Sequence, residues 1–181
     1  MRRTLLLLGY LLMSIAPALA DDSANRTKGF DTALVRLLQP DSLFAERGDA
    51  KALSNTIKAI QTALSAYGAS RPNPDSIDGC AVYAAIRSGE RLKTWTQCEG
   101  EDRREIDAFI GSRIDKKAIA PVSEGALILS IHGIDANPGN LAVDLMPSEW
   151  RKAAEKAGAG FEHGLEMEQL IDLVWPDGRD A

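Results

Sequence analysis

Serine, histidine and aspartate are the side chains of a nucleophilic triad, and Ser130, His132 and Asp144 lie in one short stretch of this chain. Leu127, Leu129 and Ile131 alternate there with Ile128, Ser130 and His132, and Leu141, Val143 and Leu145 alternate with Ala142 and Asp144. A period of two predicts two strands, joined as a hairpin across the turn-rich stretch from Gly133 to Asn140. If Gly133 pairs with Leu141, Asp144 falls across from Ser130 and diagonal to His132, with side chains about 5–8 Å apart. In that geometry His132 can take the Ser130 proton while Asp144 orients the imidazole, which is hydrolase chemistry. Against it, Ser130 sits in mid-strand and the chain contains no Gly-x-Ser-x-Gly elbow to expose a nucleophile. Polar residues on one face of a half-buried hairpin also arise simply because that face is wet.

Other chemistry finds less support. His132, Asp135 and His163 form a site only if two loops meet, and no His-x-x-x-His or His-Glu-x-x-His spacing is present. A glycosidase needs two acids facing an aromatic-lined cleft, and aromatic residues make up only 6% of the chain. Gly125, Gly133 and Gly139 are too far apart to cradle a phosphate. No metal and no cofactor is therefore expected.

A binding surface is the remaining candidate. Arg91, Lys93 and Trp95 lie just before Cys98, and tryptophan and arginine are the residues most often found at interface hot spots. The opposing expectation is that Trp95 folds inward, as large aromatics mostly do.

The compartment is read from the N-terminus. Arg2 and Arg3 precede an apolar run from Leu5 to Ile15, and Ala18-Leu19-Ala20 follows. A basic start, a short apolar core and a small-x-small exit predict a Sec-type signal peptide over residues 1–20, with a bacterial, periplasmic or secreted destination. The run is shorter than the roughly 20 residues a membrane span requires. Cys80 and Cys98 are the two cysteines, and in an exported chain they are expected to form one disulfide. In the entropy model a loop of that length adds about 3 kcal/mol. The whole chain holds 21 basic and 26 acidic side chains, and removing Arg2 and Arg3 makes it more acidic still. That balance disfavours nucleic acid and anionic membrane surfaces as partners.

These residues need a scaffold. With 45% hydrophobic and 26% charged residues the composition is globular. Residues 21–28 read as a polar tail and residues 29–181 as a single domain. Phe30, Ala33, Leu34, Leu37 and Leu38 have helical spacing, and a short turn follows Pro40 with Leu43 and Phe44. After Asp49, a capping residue, Leu53, Ile57, Ile60, Leu64 and Tyr67 form an amphipathic stripe that Gly68 closes. The small residues from Ile77 to Ile86 predict another helix, and Ser88 to Gly100 a loop tied down by the disulfide. Ile106, Phe109, Ile110 and Ile114 mark a further helix between Glu101 and Ile119. After the hairpin, helices are expected over Glu149 to Ala157 and from Met167 to Val174. Two strands make a marginal sheet, so a third is sought in Phe161 to Leu165 or near Trp175.

The expectation is thus an α+β domain: four N-terminal helical segments, a β-hairpin that belongs to a small three-stranded antiparallel sheet if a third strand exists, and two C-terminal helical segments. Functionally it is an exported protein-binding module of the accessory, inhibitor or immunity type, acting on another exported protein. A small hydrolase built around His132 and a carrier of a small apolar ligand are the alternatives.

Overall fold

The computed structural model describes residues 34–71, 80–98, 103–132, 146–158 and 165–176. The element order is β1 (Leu34–Leu37), α1 (Asp41–Arg47), α2 (Ala50–Ala69), β2 (Ala81–Arg87), β3 (Arg91–Gln97), α3 (Arg103–Arg113), a 3-10 turn (Lys116–Ala118), β4 (Ala126–His132), α4 (Ser148–Lys156) and α5 (Met167–Val174). The four strands form one antiparallel sheet in the order β1-β4-β2-β3. The class is mixed α and β, as expected, but the details differ.

Helices cover both faces of the sheet. On the first face Val82, Ala84 and Ile86 of β2 and Leu127, Leu129 and Ile131 of β4 meet Ile60 and Leu64 of α2 and Ile106 and Ile110 of α3. On the second, Ala81, Tyr83 and Ala85 with Ala126 and Ile128 meet Trp150 of α4 and Leu170 and Ile171 of α5. Every residue of β2 and β4 is buried. Strands covered on both sides read as continuous apolar runs without alternation.

That continuity explains one departure from expectation. The Ile77–Ile86 stretch, expected as a helix, contains strand β2, because a short apolar run between turns does not declare its period. A second departure is β1, expected within a helix from Phe30 to Leu38. Its pairing comes from β4, far along the chain, where Val35 faces Ile131 and Leu37 faces Leu129; Phe30 and Ala33 lie outside the described residues. A third is β3, expected as loop. The alternating Leu92, Thr94 and Thr96 face one side and Trp95 the other, and Ser88-Gly89-Glu90 turns the chain back, with Gly89 at φ 80° and Glu90 at φ 56°. The described hairpin is therefore β2–β3, and among the described residues three α-helices and a 3-10 turn precede β4, interleaved with three strands.

The expected hairpin partner of β4, Leu141 to Leu145, lies outside the described residues. Of the two places expected for a third strand, residues 161–164 also lie outside them, and Trp175 ends helix α5.

The remaining helices follow their sequence signals except α3, expected to reach Ile119, which ends at Arg113; beyond it Asp115 caps a separate 3-10 turn by accepting the Lys117 N–H at 2.9 Å. Asp49 caps α2 by accepting the Ala52 N–H at 2.7 Å, and the helix runs one residue beyond Gly68. Buried Thr56 takes the Ala120 N–H at 2.7 Å and donates to Ala118 at 2.8 Å, fixing the chain that leads into β4. Cys80 and Cys98 form a disulfide across β2 and β3, one position beyond the Ala81–Gln97 pair, with their Cα atoms 4.3 Å apart. This matches the roughly 4.5 Å of a non-hydrogen-bonded antiparallel pair.

Candidate functional site

The polar residues expected on β4 come together in part. Ser130 and His132 share the second face of the sheet, and Ser130 Oγ lies 2.8 Å from His132 Nε2. Both are buried, at 1% and 3% exposure. His132 Nδ1 has no hydrogen-bond partner among the described residues. Tyr83, cross-strand from Ser130, packs its ring edge-on against the imidazole at 6.1 Å. Burial holds the His132 pKa below its usual value, and the Arg36 charge pushes the same way. A neutral imidazole within hydrogen-bond reach of a serine hydroxyl is one half of a nucleophile–base pair.

Among the described residues no carboxylate completes a triad around it. Both edges of β4 at Ser130 are taken, by Arg36 of β1 and Tyr83 of β2, so the position expected for Asp144 belongs to those residues. Asp144, Asp135 and His163 lie outside the described residues. Among the described residues no group of His, Cys, Asp and Glu is placed to hold a metal.

The three residues expected to bind a partner share the second face of β3. Trp95 is 4% exposed and donates from Nε1 to Glu149 Oε2 at 3.0 Å. Its ring packs edge-on against Trp150 at 5.2 Å and Trp175 at 6.5 Å. Lys93 lies 5.4 Å over the Trp95 ring, and Arg91 donates to the Ser88 carbonyl at 2.8 Å, closing the hairpin turn. Trp95 is thus part of the second core.

The edges of the sheet are more informative. An exposed edge is a template for foreign strands, and natural sheets blunt it. On β3, Asp107 of α3 accepts the outward Thr96 N–H at 2.9 Å and the Thr96 hydroxyl at 2.6 Å. Desolvation raises the Asp107 pKa to about 6 despite these bonds, and the Glu149 charge adds to the rise. A polar cleft of about 370 Å3 borders this edge between α3 and α4.

On the other side, β1 covers only part of β4, and side chains finish the edge. Gln39 imitates a peptide group: its Oε1 accepts the Ile128 N–H at 2.9 Å and its Nε2 donates to the Ala126 carbonyl at 3.1 Å. Glu168 accepts the Ala126 N–H at 3.1 Å and pairs with Arg47 at 2.8 Å. Gly125, at φ 63°, lies under that ion pair, where a Cβ would collide with both partners.

The outer edge of β1 has no such cover among the described residues. Among the described residues no strand pairs with it and no side chain bonds to it. Beside it opens an apolar groove of about 500 Å3 between β1, α1 and α2, lined chiefly by Val35, Leu37, Phe44, Leu53 and Ile57. The sequence places Leu53 and Ile57 on the apolar stripe of α2 without showing that they border a groove. The chain matches no protein-family model, no curated protein and no solved structure.

Proposed function

We propose that this chain is an exported protein whose work is to bind another exported protein, seating part of it in the groove beside β1. The observation that carries the reading is the contrast between edges: side chains bond the outward Thr96 N–H of β3 and the uncovered end of β4, while among the described residues nothing bonds the outward groups of β1 beside the apolar groove. Export is supported by the Cys80–Cys98 disulfide, a feature of oxidising compartments. Among the described residues no helix is long and apolar enough to cross a membrane.

The test is a variant that fills the groove without disturbing the core. Ser54 is exposed and lines the groove, so Ser54→Trp plugs it from the α2 side. Affinity capture from the native secretory compartment is expected to retain one stoichiometric protein on the natural chain and to lose it with Ser54→Trp at unchanged melting temperature. Capture that survives the plug overturns the reading.

The same groove supports a second reading. Its volume falls in the roughly 300–1,000 Å3 range of small-molecule sites, so it can carry a small apolar ligand. A bound small molecule seen by native mass spectrometry, lost in Ser54→Trp and unaccompanied by any protein, selects that function instead. Catalysis through Ser130 and His132 is the weaker reading, since both side chains are sealed from solvent.

A further inference from the structure

We propose that the partner binds by strand addition: an extended segment pairs its backbone with Val35 and Leu37 and carries an apolar–acidic–apolar sequence opposite Val35, Arg36 and Leu37. This deepens the binding reading above and rests on it.

The hydrogen-bond parity of the sheet fixes which groups are offered. The Leu38 N–H donates to the Ile128 carbonyl at 3.0 Å, and Arg36 and Leu34 lie opposite Ser130 and His132. Backbone groups in an antiparallel strand point alternately to either side. Those of Leu34 and Arg36 therefore face β4, and the N–H and C=O groups of Val35 and Leu37 face outward. The same parity, carried through β2 to β3, turns the Thr96 N–H outward, which is where Asp107 meets it. Among the described residues nothing plays that part for Val35 or Leu37.

The side chains fix what the occupant must be. Val35 and Leu37 point to the first face and form one wall of the groove, with Leu53 and Ile57 as the other. Residues directly opposite them on an added strand share that face and drop their side chains between the walls. The residue between those two falls opposite Arg36, on the second face. Arg36 is exposed and forms no ion pair among the described residues, so a carboxylate is its complement. Lys58 on the groove wall has the same sign, and the Asp49 carboxylate is engaged by the Ala52 N–H. Peptide capture at a sheet edge works this way, with main-chain bonds giving affinity and alternate pockets giving specificity.

The test is selection of displayed random heptapeptides on the purified chain, then binding of the selected peptides to two variants. Val35→Pro removes an outward N–H at an edge position where proline is tolerated, and Arg36→Glu reverses the charge on the second face. The expected result is an enriched apolar–acidic–apolar pattern, binding reduced at least tenfold by Val35→Pro, and a switch to a basic central residue with Arg36→Glu. Amide exchange at Val35 and Leu37 is expected to be fast in the free chain and slowed by peptide.

Peptides lost with Ser54→Trp but kept with Val35→Pro overturn strand addition while the binding reading stands. Loss of neither overturns both. No enrichment, slow exchange in the free chain (an edge already covered by this chain), or a dimer abolished by Val35→Pro (a second copy as occupant) each overturns the proposal.

Discussion

The Asp107 carboxylate lies 2.9 Å from the Thr96 nitrogen and 2.6 Å from the Thr96 hydroxyl, so one acid on α3 caps the outer edge of β3 at Thr96. Burial raises its pKa to about 6 from an ordinary 3.8. Folding therefore favours the protonated acid: its contribution is fully present below about pH 4 and is lost as pH rises through 6. Asp107→Asn keeps an oxygen for the Thr96 N–H without the charge. The variant is expected to flatten the stability profile between pH 4 and 6 and to match or exceed the natural chain at pH 7, read by urea unfolding across that range.

His132 acts in the opposite direction. Its pKa is lowered by burial and by Arg36, so folding favours the neutral ring. The contribution is complete above about pH 6.5 and is lost as pH falls below that value towards the folded pKa. His132→Gln, which retains a hydrogen-bonding partner for Ser130, is expected to remove this acid-side loss. Melting temperatures at pH 5 and 7.5 should differ less in the variant than in the natural chain.

Trp95 anchors the second core. It packs edge-on against Trp150 and Trp175 and bonds Glu149. Trp95→Ala is expected to cost about 3–5 kcal/mol, the usual range for truncating a buried aromatic. A loss below about 1 kcal/mol in urea unfolding would show that the ring is not held as described.

Gln39 replaces a missing length of strand along β4. Gln39→Ala leaves the Ile128 N–H without its acceptor and takes one donor from the Ala126 carbonyl, which keeps Arg47 at 3.3 Å. A buried polar group left unpaired costs about 1–3 kcal/mol. Equilibrium unfolding should show that loss, and amide exchange at Ile128 should accelerate selectively.

How much of this was legible depended on where each element finds its partners. Helix α2 announced itself, because Asp49 caps locally and Leu53, Ile57, Ile60 and Leu64 repeat at helical spacing whatever lies nearby. β4 was legible as alternation from Leu127 to His132 despite burial on both faces, because Ser130 and His132 broke the apolar run. β2 offered no such break, and its small residues suited close helix packing equally well. β1 was least legible: four residues whose strand character comes from β4, far along the chain. The Ser130–His132 contact was legible from spacing alone. The groove was not, since it depends on β1 being a strand.

The strand order has a consequence for how the molecule is assembled. β4 sits between β1 and β2, so β1 has no neighbour in the sheet until residues 126–132 exist and are placed. The β2–β3 hairpin closes over a three-residue turn and can form early, whereas joining β1 to the sheet closes a loop of about ninety residues, a slow step by the usual dependence of rate on contact order. Until then β1 lacks the strand partner it has in the folded sheet.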